Sequence, residues 1–93
     1  MTNKLGQIRC VVQIYTTRGT VSVECAPGSS DVRYHYKPIT RDDPYYNGSL
    51  DNPGQVEQAL RHSWIEPTAW NIEILEQAIR TARSMAGCFN DSV

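Results

Sequence analysis

Residues 8–25, IRCVVQIYTTRGTVSVEC, contain two runs in which apolar and polar side chains alternate. A period of two is typical of β-strands that pack one face on a core, and both runs are rich in β-branched residues. The first run covers residues 8–16 and the second covers residues 20–25. Between them stands Thr-Arg-Gly, and glycine readily takes the positive φ that tight hairpin turns need. The stretch therefore predicts a β-hairpin whose turn centres on Arg18 and Gly19.

The register of this hairpin is restricted by the side-chain pattern, because a slip of one residue would turn a whole apolar set toward solvent. We expect Val12 to pair with Cys25, and Ile14 to pair with Val23. Cys10 then lies diagonal to Cys25 rather than opposite it. A disulfide between these two cysteines would not persist in a reducing cytosol, so we expect the three cysteines of the chain to be free and mostly buried.

A third strand is predicted over residues 32–37, VRYHYK, where the two tyrosines share one face with the first valine. The other face presents what we call the basic row, Arg33, His35 and Lys37. Pro38 ends the strand, because proline has no N–H for a sheet hydrogen bond. A charged row is typical of a solvent-facing surface, and it is also able to meet phosphates or an acidic protein surface.

Residues 55–65, QVEQALRHSWI, fit two kinds of secondary structure. Apolar residues recur at helical spacing, and Asn52 followed by Pro53 is typical of a helix N-cap and first turn. The same segment carries apolar residues at a period of two, so a strand that joins the sheet remains the alternative. We favour the helix.

The last third of the chain gives the strongest helical pattern, over residues 67–86. Its apolar stripe consists of Ile72, Leu75, Ile79, Ala82 and Ala86. Acidic residues lie toward its amino end and arginines toward its carboxyl end, as the helix dipole favours. Gly87 follows at the position where glycine commonly ends a helix, so we expect the helix to stop there.

These elements predict an α+β fold. A small antiparallel sheet of three to four strands packs against the C-terminal α-helix, and residues 55–65 supply a second, short helix. A chain of 93 residues is long enough for one hydrophobic core, so we expect residues 1–93 to form a single domain.

Charge and hydropathy exclude several classes of protein. Nine basic and ten acidic residues give a net charge of -1 and a pI near 6.0, so no global field attracts the chain to nucleic acid or anionic membranes. Residues 1–10 have no apolar run of signal-peptide length, and no segment has the roughly 18 apolar residues of a membrane-spanning helix. We therefore expect a cytoplasmic protein that does not contact membranes.

The candidates for a metal or acid/base site are two histidines and three aspartates: His35, His62, Asp42, Asp43 and Asp51. None of them stands at a metal-ligand spacing, and the segment from Asp43 to Asp51 lacks the acidic and glycine positions of a calcium loop. No motif activates a cysteine or serine as a nucleophile, and no phosphate-binding glycine loop occurs. We expect no catalytic residues, no metal and no cofactor, and thus a protein that is not an enzyme.

Residues 41–54, RDDPYYNGSLDNPG, are predicted to be a long polar loop, because proline, glycine, aspartate and asparagine favour turns. Tyr45 and Tyr46 are adjacent, so we expect at least one of them to be exposed. Tyrosine among small polar residues is typical of binding loops, whereas a lid over the sheet edge is the alternative. The predicted partner-binding residues are Asp42, Asp43, Tyr45, Tyr46 and Asn47 of the loop, together with the basic row.

Residues 20–83 include a pattern of aromatic and turn-forming residues: Tyr34-His35-Tyr36-Lys37-Pro38, Asp42-Asp43-Pro44, Gly48, Pro53 and Val56-Glu57. In this pattern the chain resembles small accessory proteins of tailed bacteriophages. The resemblance implies strands that lead through a proline-rich loop to a terminal helix. It also implies a cofactor-free protein that binds and blocks a host defence or regulatory protein, and it supplies no catalytic residues.

The sequence thus favours a non-enzymatic, phage-encoded binding protein that modulates a host macromolecule by protein–protein contact. One alternative is a nucleic-acid or nucleotide-binding module that uses the strand of residues 32–37, although the near-neutral charge argues against it. Another alternative is an oligomeric structural component of a phage, in which Trp64 or Trp70 forms the contact between subunits. The oligomeric state itself is not predicted.

Overall fold

The computed structural model describes residues 10–29 and 31–91, and for residues 88–91 it describes the backbone alone. Four strands and two helices follow one another along the chain. They are β1 (Cys10–Tyr15), β2 (Gly19–Cys25), β3 (Val32–Pro38), β4 (Tyr46–Ser49), α1 (Pro53–His62) and α2 (Ala69–Asp91). The strands form one antiparallel sheet in the order β1-β2-β3-β4. The predicted α+β fold is confirmed. Residues 8 and 9, with which the first strand was expected to begin, lie outside the described residues.

The core lies between one face of the sheet and the two helices. On β2 and β3 every second side chain is buried, whereas the intervening side chains are half-buried or exposed, as the period of two predicts. The buried apolar residues of the helices are Val56, Ala59, Leu60, Leu75, Ala78, Ile79, Ala82 and Ala86. The helix α2 contacts β1 and β2 most extensively, and α1 contacts β4. The helices therefore lie side by side over one face, and the other face of the sheet carries the basic row.

The register of the first hairpin differs from the prediction by two residues. Val12 pairs with Val23, and Ile14 pairs with Val21. Cys10 consequently lies directly opposite Cys25, and both thiols are free and buried. The predicted register is wrong because a shift of two residues keeps every side chain on its own face, so alternation alone does not distinguish the two registers. The side chain of Cys88 lies outside the described side chains.

The turn chemistry explains the observed register. The turn centres on Thr17 and Arg18, and the Thr16 hydroxyl accepts hydrogen bonds from the backbone N–H groups of Arg18 (3.1 Å) and Gly19 (2.9 Å). The Thr16 N–H in turn donates to the Gly19 carbonyl at 2.8 Å. Gly19 is not at positive φ, contrary to the prediction; among the described glycines only Gly28 is, at 80°. A hydroxyl that closes the turn thus takes the place of a left-handed glycine.

Helix α1 covers residues 53–62, so the favoured helix is confirmed and the alternative strand is wrong, but residues 63–65 lie beyond the end of the helix, contrary to the predicted range. The Asn52 side chain caps the helix by accepting from the Gln55 N–H at 3.0 Å, and Pro53 occupies the first turn. The Gln55 side chain reaches back to accept from the Asp51 N–H. The two bonds resemble a capping box, although the second one goes to the residue before the N-cap rather than to the N-cap itself, and together they hold the start of the helix.

The fourth strand, β4, lies inside the segment that was predicted to be an irregular loop. Tyr46 pairs with Tyr36 and Gly48 pairs with Tyr34, so residues 46–49 add one edge strand. The sequence YNGS has little β propensity, and the pairing is set by the neighbouring strand. A Cβ at position 48 would lie 3.1 Å from the Tyr34 ring, which is a tight contact, so glycine lets the Tyr34 ring approach β4 closely.

The helix α2 begins close to the predicted start but continues to Asp91, so the predicted end at Gly87 is wrong. Glycine in a helix interior costs about 1 kcal/mol relative to alanine, but it does not break the helix when the following residues continue it. Within the described residues, neither helix is both long enough and apolar enough to cross a bilayer.

Candidate functional site

Three loops meet at one end of the molecule and carry exposed large apolar side chains. They are the β1–β2 turn, the β3–β4 loop and the α1–α2 connection. Ile39 and Tyr45 are exposed in the β3–β4 loop, and Trp64 is 51% exposed just after α1. Tyr45 lies at this end because its neighbour Tyr46 pairs with Tyr36, whose hydroxyl reaches the β1–β2 turn.

Arg18 connects the three loops through its side chain. Its guanidinium carbon lies 4.0 Å from the centre of the Trp64 ring, which is a cation–π contact. Its Nη2 atom lies 3.6 Å from Oδ2 of Asp43. We call the set of Arg18, Ile39, Asp43, Tyr45 and Trp64 the Arg18 end. Because the Arg18 and Asp43 side chains are both partly exposed, this ion pair contributes little stability.

The backbone of Arg18 is held by the core beneath it. The carbonyl oxygen of Arg18 accepts hydrogen bonds from the Tyr36 hydroxyl at 3.1 Å and from the Ile39 N–H at 2.9 Å. The Tyr36 side chain is fully buried in the core. The turn is therefore anchored at its tip, and Arg18 is presented on a rigid support.

Trp64 has a backbone conformation that is uncommon for a bulky residue. It occupies the left-handed region at φ 63°, directly after the helix cap Ser63. The Ile65 N–H donates to the Leu60 carbonyl at 2.8 Å, and the Trp64 N–H donates to the Arg61 carbonyl at 3.1 Å. These two bonds are those of a Schellman motif, in which glycine is usual at the left-handed position. A tryptophan here costs about 1–2 kcal/mol of backbone strain, and strain of this kind is concentrated at functional sites.

The predicted partner-binding residues are divided between two surfaces. Arg33, His35, Lys37 and Asn47 all lie exposed on the outer face of the sheet, and Asn47 is directly opposite His35. Asp43 and Tyr45 belong instead to the Arg18 end. Asp42 is exposed in the β3–β4 loop, close to Asp43 in sequence.

The basic row is partly neutralised by its neighbours. His35 Nε2 lies 3.3 Å from Glu24 Oε1 on the adjacent strand, and an Arg33 guanidinium N–H donates to the Ser49 hydroxyl at 3.2 Å. Glu24 and Arg33 are also direct cross-strand partners. The outer face therefore presents both signs of charge rather than a uniformly positive field.

Tyr46 does not share the exposure of Tyr45. Its ring stacks on the imidazole of His62, with ring centres 4.0 Å apart and planes 8° from parallel. The Nδ1 atom of His62 lies 2.8 Å from the Tyr34 hydroxyl. Tyr46 thus joins β4 to α1 as a packing residue, and His62 belongs to the same internal group.

Among the side chains that the structure describes, those of residues 10–29 and 31–87, no three His, Cys, Asp or Glu groups are close enough to hold a metal ion. His35 and His62 lie on different sides of the sheet, because one faces outward on β3 and the other contacts the inward-facing Tyr34. Asp51 adjoins the N-cap of α1, where its N–H donates to Gln55.

Sequence reasoning missed Arg18 and Ile39 as site residues, and it considered Trp64 only as a contact between subunits. Arg18 stands in a turn, where a charged residue is ordinary. Trp64 follows Ser63 without the glycine that usually ends a helix, and this absence was a usable signal. Comparisons with protein-family models, curated proteins and solved structures find no match for this chain.

The buried tyrosines and Cys25 predict a loss of stability at alkaline pH. Burial raises the pKa of Tyr34, with a smaller effect from Tyr46; burial also raises the pKa of Tyr36, with Asp43 adding to it. Burial likewise raises the pKa of the Cys25 thiol. The unfolded chain releases these protons first, near pH 8.5 for cysteine and near pH 10 for tyrosine.

Stability is therefore complete below those values and falls as the pH rises through the higher pKa values of the folded protein. Urea unfolding at several pH values between 7 and 11 measures the effect. The Tyr36→Phe variant, which lacks one titrating group, should show a shallower fall above about pH 10. A free energy of unfolding that stays constant across the alkaline range would contradict this prediction.

Proposed function

We propose that the protein is a non-enzymatic binding protein that acts through contact of the Arg18 end with another protein. The observation that carries the proposal is the exposed Trp64, held in a strained left-handed conformation under the Arg18 guanidinium. Tryptophan, tyrosine and arginine are the residue types most enriched at the centres of protein interfaces. A rigid aromatic anchor also binds at a small cost in conformational entropy.

The remaining residues of the Arg18 end support the same function. Ile39 and Tyr45 add exposed apolar area in the β3–β4 loop, and Asp43 adds an acidic group next to the arginine. A partner that offers a carboxylate for Arg18 and an apolar cleft for Trp64 matches this arrangement. The resemblance to phage accessory proteins supports a phage-encoded protein whose partner is a host defence or regulatory protein in the host cytoplasm.

A second candidate function is nucleic-acid binding by the outer face of the sheet. Arg33, His35 and Lys37 all lie on this face, and the two helices pack on the other one. The position of Glu24 within the row weakens this candidate, because a carboxylate repels phosphates. Affinity for nucleic acid through this surface would fall steeply with added salt.

The two surfaces are distinguished by two double variants of the tagged protein. Trp64→Gly with Tyr45→Ala removes the anchors of the Arg18 end, and glycine relaxes the left-handed backbone at position 64, so folding is preserved. Arg33→Ala with Lys37→Ala removes the charges of the basic row. Partners are captured from bacterial lysate, identified by mass spectrometry, purified and then titrated against each variant by calorimetry.

We expect a protein partner that binds the wild type and the basic-row variant with similar affinity. The Arg18-end variant should bind at least 30-fold more weakly, which corresponds to the loss of about 2 kcal/mol that defines a hot spot. A partner that binds the Arg18-end variant as tightly as the wild type would refute the proposal. Nucleic acid recovered by the wild type and lost by the basic-row variant would favour the second candidate.

A further inference from the structure

The strand β1 is an edge strand without the usual protection against pairing. Its sequence, CVVQIY, has no charged residue and no proline, and in residues 10–29 and 31–91 no strand pairs with its second side. Natural edge strands are usually short, bulged, charged or interrupted by proline. The opposite edge, β4, is short and contains Gly48. An uncharged six-residue edge is therefore a surface suited to pairing with another strand.

The backbone groups on the free side of β1 belong to alternate residues. The Thr16 N–H donates to the Gly19 carbonyl, so Thr16 and Gly19 form a hydrogen-bonded pair. Counting back along β1 from Thr16, every second residue also bonds to β2. The residues between those positions direct their N–H and C=O groups away from β2. They are Val11, Gln13 and Tyr15, which leaves three donors and three acceptors along the free edge.

The side chains of β1 are also less covered than those of the inner strands. Val12 and Ile14 face the core but are only partly buried, whereas Val21 and Val23 on β2 are almost completely buried. On the outer face, Tyr15 is 75% exposed. Apolar side chains on both faces of this edge are thus incompletely covered.

The helix α2 extends this apolar surface beyond β1. One flank of α2, with Ile79 and Arg83, lines a groove against the start of α1. On the other flank, Ile74 borders a groove of about 250 Å³ together with Ile14 and Tyr15 of β1. One turn earlier, Trp70 is 75% exposed. Ile74 therefore places apolar surface beside the inner face of β1, and Trp70 continues this surface along the same flank of α2.

We propose that a second copy of this chain occupies this surface, with the two β1 strands antiparallel about a two-fold axis at Gln13. In this register Val11 lies opposite Tyr15 of the partner subunit, and Tyr15 lies opposite the partner's Val11. Aromatic and β-branched side chains are favourable cross-strand partners. The register also pairs the free N–H and C=O groups of positions 11, 13 and 15 with one another. The two sheets become one sheet of eight strands.

The available area is consistent with a specific dimer. Trp and Tyr side chains present about 150–250 Å² each, so Tyr15 and Trp70, each 75% exposed, offer about 300 Å² per chain. Val11 and Ile74, both about 40% exposed, and the strand edge add to this area. Specific interfaces bury at least about 600 Å² per partner, which this surface approaches. Edge strands that pair antiparallel form an isologous contact, which closes at two subunits.

The dimer does not depend on the binding role of the Arg18 end, because the two surfaces share no residue. A dimer would carry two Arg18 ends and would bind a repeated partner with higher avidity than a single chain. The molecular mass of the protein shows whether the chain dimerises. Calorimetric titration of a partner against the variants of the Arg18 end shows whether that surface binds it. The two proposals are therefore tested separately.

Sedimentation equilibrium of the purified full chain tests the proposal. We expect the wild type to have twice the 10.5 kDa mass of one chain. The Gln13→Lys variant places two lysines opposite each other at the axis, and it should weaken dimerisation at least 30-fold, since like charges in contact cost several kcal/mol. The matched control is Asn47→Lys, an exposed position on the same face at the opposite edge, and it should remain dimeric.

A disulfide cross-link tests the register directly. In a background with Cys88→Ser, Gln13→Cys should give a disulfide-linked dimer in oxidised glutathione, because opposed residues on paired strands lie about 5.5 Å apart. Ser22→Cys, one strand further from the axis, should not cross-link, since the two sulfurs would be separated by about three strand spacings.

Three results would overturn the proposal. They are a wild type that is monomeric at all concentrations, a dimer that Asn47→Lys disrupts while Gln13→Lys does not, and cross-linking through Ser22→Cys but not through Gln13→Cys. Circular dichroism of each variant confirms that the lysine and cysteine substitutions, all at positions that are not buried, leave the fold intact.

Discussion

Gly19→Ala is expected to lower the free energy of unfolding by about 3 kcal/mol, near the upper end of the usual cost of overpacking. An ideal Cβ at position 19 would lie 2.5 Å from the Lys37 carbonyl oxygen and 2.8 Å from the Tyr36 ring. The first of these atoms belongs to the backbone of β3, and β3 is fixed by pairing on both sides. The clash therefore cannot be relieved by rotating a side chain, and the sheet itself must move.

The matched control is Gly87→Ala, because a Cβ at position 87 meets no atom within 4 Å. Gly87 lies inside α2, where alanine is favoured over glycine by about 0.5–1 kcal/mol, so this variant should be more stable than the wild type. Urea unfolding followed by circular dichroism measures both variants. A Gly19→Ala variant as stable as the wild type would show that β2 and β3 do not approach as closely as described.

Leu75→Ala is expected to lower the free energy of unfolding by about 3–5 kcal/mol. Leu75 is among the largest fully buried side chains, and it lies where α2 crosses the sheet. Replacing a buried leucine by alanine removes its transfer free energy and leaves a cavity that the surrounding residues fill only partly. A chain this short has little stability to lose, so the variant should be substantially unfolded at 37 °C.

Ile74→Ala is the control for this prediction, since Ile74 is the adjacent residue but lies on the flank of α2 and is 41% exposed. It should cost about 1 kcal/mol or less when measured in dilute solution. Thermal unfolding of the two variants compares them directly. Equal losses of stability in the two variants would mean that α2 turns a different face toward the sheet.

The sequence predicts those features of the fold that depend on side-chain alternation. The period of two identifies three strands and their inner faces, and the period of 3.6 identifies both helices. The hairpin register depends instead on a hydroxyl, that of Thr16, which selects between two registers with identical faces. The strand β4 depends on pairing with β3 through residues 46–49, whose own sequence favours a turn.

The candidate site is harder to predict because its residues are distant in sequence. Arg18, Asp43 and Trp64 come from three separate connections, and they meet only through the order of the strands and the packing of α1 over β4. The left-handed conformation of Trp64 contradicts the local preference for glycine. The loop of residues 41–54 was correctly expected to expose at least one tyrosine, and Tyr45 is that residue.

The most direct test of the proposed binding role is a chemical-shift titration of the isotope-labelled protein with its purified partner. We expect the largest changes in the amide signals of Arg18, Ile39, Tyr45 and Trp64 and in the Trp64 indole N–H, with small changes at Arg33 and Lys37. Changes concentrated on the basic row, with the Trp64 indole signal unmoved, would contradict a binding site at the Arg18 end.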